Sequence, residues 1–122
     1  MTKRIKLTKN FFRDEFDCKC GCGKNEISPM IVNLCQSLRD AFGKPIFISS
    51  GYRCAKRNKA VGGSLTSDHL KGLAVDIACY DAMTRRELVY IALSVGVPTI
   101  GVKRDCVHIS IGEPARLFTY DS

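Results

Sequence analysis

Apolar residues recur at three- and four-residue steps between Met30 and Phe42. Met30, Ile31, Leu34, Cys35, Leu38, Ala41 and Phe42 mark one face of an amphipathic helix. Ser28 is placed to cap it, Pro29 suits its first position, and Gly43 can end it. A second helical run carries Leu88, Val89, Ile91, Ala92 and Val95 and should stop at Gly96, with Thr84 and Glu87 spaced as a capping box. A brief helix is expected over Ala55 to Val61, halted by Gly62-Gly63. From Leu73 to Cys79 the period changes to two: Leu73, Val75 and Ile77 alternate with Ala74, Asp76 and Ala78, which predicts a strand. "PIFIS" (Pro45 to Ser49) predicts a short buried strand that turns out through "SGYR". "PTIGVKRDCVHISIG" predicts two strands with a tight turn around Lys103 to Asp105. In the second, Cys106, His108 and Ser110 share one face, and Val107, Ile109 and Ile111 the other. "EFDCKCGCGKN" and "GGSLTSDHLKG" have no sustained period and are expected as loops. The sum is an α+β class: a small antiparallel sheet with helices packed against it.

Length and charge narrow the setting. The 122 residues suit one domain over 1–122, with the basic, cysteine-containing segment 1–27 as part of it. Hydrophobic residues make up 45% of the chain, enough for a folded core. No run is long enough to span a membrane, and the basic start "MTKRIKLTKNFF" is followed by no apolar core or cleavage site of a secretory signal. The expectation is synthesis in the cytoplasm, with any action outside it needing another route of release. The net charge is +7, and Lys3, Arg4, Lys6, Lys9, Arg13, Lys19 and Lys24 crowd the first quarter. Such a surface favours polyanions, whether nucleic acid, anionic lipid or an anionic wall polymer, or is merely a solvated face.

Seven cysteines without a signal peptide argue against a complete disulfide framework. Cys35, Cys79 and Cys106 sit in apolar runs and read as small core residues. Cys18, Cys20 and Cys22 with Cys54 leave three readings open: a four-sulfur metal site, a disulfide between loop and Cys54, or unpaired thiols. The C-x-C-x-C spacing is not the C-x2-C pairing of common structural zinc sites.

The chain has two histidines, His69 and His108, and Asp76 lies seven residues after the first. Catalytic zinc is held by three ligands drawn from His, Asp and Glu, with one position left for water, and a nearby carboxylate must take that water's proton. His69, Asp76 and His108 can supply the ligands and Asp105 the base, provided Asp105 lies in the turn, since strict alternation would put it on the face opposite His108. Each has a plainer explanation. A strand histidine is often structural, and Asp105 suits a turn. Asp76 is harder to dismiss, because a buried carboxylate needs a partner or a cation.

"SGYRCAKRNKAVGGSLTSDHLKGLAVDI" and "DCVHIS" together resemble the M15 family of zinc metallopeptidases, which act on peptidoglycan stem peptides. The likeness lies in S-G-Y-R, the S-x-H-x6-D motif and a late acid-x-x-H, and it runs from about Met30 to Ile111. It implies a D,D-peptidase (hedgehog-like) fold and one catalytic zinc at His69, Asp76 and His108. It also implies Arg53 binding or polarising the substrate near the scissile carbonyl, and Ser67 hydrogen-bonding substrate. The acid before the last histidine is often Glu in that family, whereas this chain has the shorter Asp105; Glu113 is a fallback.

Three function classes follow. The first is a zinc peptidase cutting stem peptides, a monomer of phage or prophage endolysin type, released through a holin pore to act in the periplasm or at the cell wall. D,D-carboxypeptidase, D,D-dipeptidase and L-alanyl-D-glutamate endopeptidase activities are all compatible with it. The second is a non-catalytic relative that keeps the metal and binds wall or protein. The third, a basic nucleic-acid-binding module organised by "CKCGC", lacks aromatic stacking clusters and a zinc-finger spacing.

Overall fold

The structure, a computed structural model, describes residues 3–112 and 116–119. Its regular elements are helices α1 (Pro29–Phe42), α2 (Ala55–Ala60) and α3 (Ala82–Ser94), and strands β1 (Ile48–Ser50), β2 (Ala74–Ala78), β3 (Thr99–Val102), β4 (Cys106–Ser110) and β5 (Arg116–Thr119). Short 3-10 helices cover Arg13–Phe16 and Asp68–Lys71. The strands form one sheet in the order β1-β2-β4-β3-β5. All pairings are antiparallel except β3 with β5. The α+β class expected from the sequence is the one observed.

Helix α1 forms where its punctuation places it. The Ser28 side chain accepts from the Met30 N–H, Pro29 opens the first turn, and Gly43 closes the last at φ 75°. Its buried face is Ile31, Val32, Cys35 and Leu38; Met30 is 70% exposed and Ala41 is also exposed, so the stripe is rotated from the expected one. Helix α3 starts two residues before Thr84. Asp81 is its cap, accepting from both the N–H and the hydroxyl of Thr84, so Thr84 is the capped residue and not the capping one. Leu88, Ile91 and Ala92 face inward as the period requires.

Helix α3 packs on α1, β3 and β4, and one apolar cluster joins both helices to Val75 and Ile77 of β2 and Val107 and Ile109 of β4. Phe11 and Phe16, inside the basic N-terminal segment, are fully buried in that cluster. Burial of a large side chain contributes roughly 1.5–3 kcal/mol, so this segment is part of the core and not an appended basic arm. The opposite face of β2 and β4 presents Asp76 and His108, which are cross-strand partners.

Two departures from the expected elements shape that face. "SDHLKG" is not a featureless loop: Asp68–Lys71 forms a 3-10 turn capped by the Ser67 side chain and ended by Gly72 at φ 70°. Strand β5 was not expected from the sequence, because it is only four residues long and skips past its sequence neighbour β4 to lie parallel to β3. It sets Phe118 level with Gly101 and its ring 6.1 Å from that of His108. Gly72 is the tightest point. A Cβ there would lie 1.9 Å from the Glu26 carbonyl oxygen, and the Gly72 carbonyl accepts from the Ser28 N–H. Gly72→Ala should therefore cost about 2 kcal/mol or more, from the left-handed backbone and the clash together. Denaturant unfolding measures this, and an unchanged midpoint would show that the His69 turn is not held in this way.

Candidate metal centre and substrate cavity

Each site side chain is delivered by a different piece of backbone. Asp76 is in the middle of β2, His108 directly opposite it on β4, and His69 in the 3-10 turn that precedes β2. All three are buried. His108 Nδ1 lies 2.9 Å and His69 Nε2 3.3 Å from Asp76 Oδ1, and the three donor atoms fall within 4.8 Å of one another. With metal–ligand bonds of about 2.0–2.1 Å, a tetrahedral ion spaces N and O ligands by roughly 3.3 Å, so the cluster matches a first-row divalent ion. The other nitrogen of His69, Nδ1, donates to the Gly51 carbonyl at 2.8 Å. That aims Nε2 at Asp76, the orienting arrangement usual behind metal-binding imidazoles. Gly51 itself cannot be larger, because a Cβ would sit 2.7 Å from the Phe16 backbone.

Burial pushes the Asp76 carboxyl up, but hydrogen bonds from His108 and His69, and their charge, outweigh it and hold the group well below the usual carboxylate range. Its second oxygen, Oδ2, accepts from Arg53 Nη2 at 3.2 Å. Arg53 is fixed in turn by Ser50, which accepts from Nε at 2.9 Å, and by Asn58, which accepts from Nη1 at 3.4 Å. The irregular β1–β2 register, which sets Ser50 beside Asp76, brings the guanidinium there. Three of the five guanidinium N–H groups are used in these contacts, leaving two for an oxygen in the cavity.

The cluster forms the floor of a cavity of about 380 Å³. Arg53, Ser67, Lys103 and Phe118 are among its walls, and Gly62, Gly63, Ser64 and Thr66 border it from the loop after α2. Ser67 reaches the cavity while its oxygen caps the His69 N–H at 3.3 Å, so its hydroxyl proton stays available. Asp105 lies in the β3–β4 turn, as its place three residues before His108 requires, and is exposed. Its carbonyl accepts from the Cys79 N–H, but Asp105 is not among the residues that line the cavity; the turn residue that does is Lys103. Glu113 lies outside the described residues.

Asp68 was missed by the sequence reading. Its side chain is 2% exposed, lines the cavity, accepts from Ser110 through Oδ2 and has Lys71 Nζ 3.9 Å from Oδ1. Oδ1 itself has no hydrogen-bond donor among the described residues. The signal was the acid beside Ser67 and His69 in "SDH", hidden because an exposed turn is the ordinary place for aspartate.

The cysteines divide. Cys35, Cys79 and Cys106 are buried: Cys35 on the inner face of α1, Cys79 just past the end of β2, and Cys106 at the start of β4 close to Cys79. Burial pushes all three thiols up, Cys106 to about 12, so they act as small apolar groups. Cys18, Cys20, Cys22 and Cys54 are gathered at one place.

Comparison with curated proteins returned no match. The family model for peptidase M15 matches residues 9–111, a span that includes every residue of the His69–Asp76–His108 cluster and most of the cavity wall. A buried two-histidine, one-carboxylate cluster under an open cavity is what a metallopeptidase needs, and with that match the chain belongs to the peptidase M15 family.

Proposed function

We propose that the protein is a zinc-dependent peptidase acting on the stem peptides of peptidoglycan. The observation that carries this reading is the convergence of His69 Nε2, Asp76 Oδ1 and His108 Nδ1 on the cavity floor. Zinc held by these three groups would supply Lewis acidity to a carbonyl oxygen and to water near neutral pH. Around it the chain's own residues have distinct tasks. Arg53, already fixed by Ser50, Asn58 and Asp76, offers its remaining N–H groups to the oxygen on which negative charge develops. Ser67 donates to the substrate backbone. Asp105 takes the attacking water's proton and returns it to the departing amine. It is the acidic residue of the turn that also places Lys103 in the cavity wall.

The substrate class is supported by chemistry at two scales. Arg53 and Lys103 on the cavity walls, beside Asp68 and Asp76, offer cationic groups to carboxylates of a peptide. Over the whole surface the net charge of +7 suits an anionic wall polymer. An endolysin-type role in wall degradation, in the periplasm or at the wall and as a monomer, extends the same reading. No helix among the described residues is long and apolar enough to cross a membrane.

One observation favours a second assignment of the base. Asp68 is among the residues that line the cavity and has a buried carboxylate oxygen, Oδ1, that no described residue hydrogen-bonds, whereas Asp105 is exposed in its turn and does not line it. Asp105→Asn and Asp68→Asn separate the two. If Asp105 is the base, its variant should keep cavity zinc and lose about 10²–10⁴-fold in rate, while Asp68→Asn retains most of the activity. The reverse pattern would move the role to Asp68.

The reading as a whole is tested on purified peptidoglycan. New amino termini should appear with the zinc-loaded protein, disappear with a chelator and return with added zinc, and fragment masses should name the bond cut. Stoichiometric zinc at His69, Asp76 and His108 without any new termini would instead indicate a non-catalytic relative.

A further inference from the structure

The loop that precedes α1 carries three cysteines at alternate positions, and the structure folds their sulfurs onto a fourth from a distant segment. Cys18 Sγ lies 3.5 Å from Cys20 Sγ and 3.6 Å from Cys54 Sγ, and Cys20 Sγ lies 3.6 Å from Cys54 Sγ. All four sulfurs, Cys22 included, fall within 4.8 Å of one another. A disulfide would bring two of them to about 2.05 Å. A tetrahedral zinc with Zn–S bonds of about 2.3 Å spaces its sulfurs by roughly 3.8 Å, and the observed separations lie close to that edge.

Backbone donors face three of the four sulfurs. The backbone N–H groups of Cys54, Arg57 and Lys24 point at the sulfurs of Cys18, Cys54 and Cys22, each at 3.4 Å. Oriented N–H donors of this kind stabilise negative sulfur and hold ligands in place behind a metal. Cys18 and Cys54 are buried with Tyr52 in a small cluster of their own, while Cys20 and Cys22 are exposed, so the cluster is braced on the protein side and open to an ion from solvent.

The backbone explains how an alternate spacing can chelate. Gly21 at φ 83° and Gly23 at φ 78° are left-handed, and the Cys18 N–H bonds the Lys24 carbonyl across the loop. The segment therefore curls upon itself, and three side chains that an extended chain would string out meet at one point. The C-x2-C rule describes a different turn, so its absence from the sequence does not count against this one.

We propose that Cys18, Cys20, Cys22 and Cys54 hold a structural zinc ion, separate from the cavity's metal. Four thiolates close the coordination sphere, leaving no position for water and hence no catalytic role at this ion. Its effect is mechanical. It ties the 18–22 loop to the residue next to Arg53, in a segment already bonded to the first 3-10 turn through the Tyr52 N–H and the Phe16 carbonyl.

Cobalt(II) reads the two sites separately, because only thiolate ligands give intense sulfur-to-metal charge-transfer absorption in the near ultraviolet. The His69→Ala/His108→Ala variant, purified under reducing conditions and titrated with cobalt, should show that absorption with one ion bound. Cys20→Ser/Cys22→Ser, chosen because both positions are exposed, should lose the thiolate band. Its far-ultraviolet circular dichroism would confirm that it folds. In the zinc-loaded wild type, iodoacetamide should spare Cys18, Cys20, Cys22 and Cys54 until a chelator is added, while buried Cys35, Cys79 and Cys106 stay protected throughout. Absence of the thiolate band from folded wild-type and histidine-variant protein would overturn the proposal. So would a disulfide to Cys54 in unreduced protein that persists after zinc loading. Because the band is read without the histidines, it stands or falls apart from the peptidase reading.

Discussion

Asp76 is a carboxylate buried in the middle of a sheet, and much of the structure answers to it. An isolated charge there would be costly by several kcal/mol. The fold meets it with His108 from the facing strand, His69 from the turn before its own strand, and Arg53 from the exit of β1. The same contacts that make the carboxylate tolerable leave its Oδ1 shared between two imidazole nitrogens. That is an arrangement a divalent ion can take over without moving the backbone. Pairing of β2 with β4 in this register is therefore both a folding requirement and the origin of the site: a slip by one residue would send Asp76 or His108 into the apolar core.

The supports of these three partners lie farther out. His69 is aimed by the Gly51 carbonyl, and Gly51 can approach the Phe16 backbone because it has no side chain. Gly72 lets the turn end against Glu26 and Ile27. The N-terminal segment, which in composition is a basic arm, thus contributes two core phenylalanines and part of the wall behind the metal centre. With the cysteine cluster bracing the residue beside Arg53, the substrate side of the cavity rests on segments distant in sequence from the motif residues.

What could be read from the chain divides along physical lines. Helix α1 was legible because its signals are local: a serine cap, a proline in the first turn and a glycine stop. The β3–β4 hairpin was legible from period two on both sides of a polar turn. His69, Asp76 and His108 could be nominated together because they are the only histidines and an acid set in an apolar run. Features set by distant partners were hidden. Strand β5 depends on an edge that β3 leaves open, Phe11 and Phe16 on a core contributed from elsewhere, and the Asp81 cap on where α3 begins in space. Asp68 looked like a turn residue until Ser110 was placed beside it. The grouping of Cys54 with Cys18, Cys20 and Cys22 could be named from the chain but not its geometry, because four sulfurs at one point, a disulfide and free thiols all share that spacing.

The central claim is that His69, Asp76 and His108 form one metal centre, and anomalous diffraction from a crystal grown with zinc tests it most directly. The account predicts a zinc peak on the cavity floor at about 2.0–2.2 Å from His69 Nε2, His108 Nδ1 and an Asp76 oxygen. A map recorded at the zinc edge with no peak within bonding distance of these three atoms would contradict it.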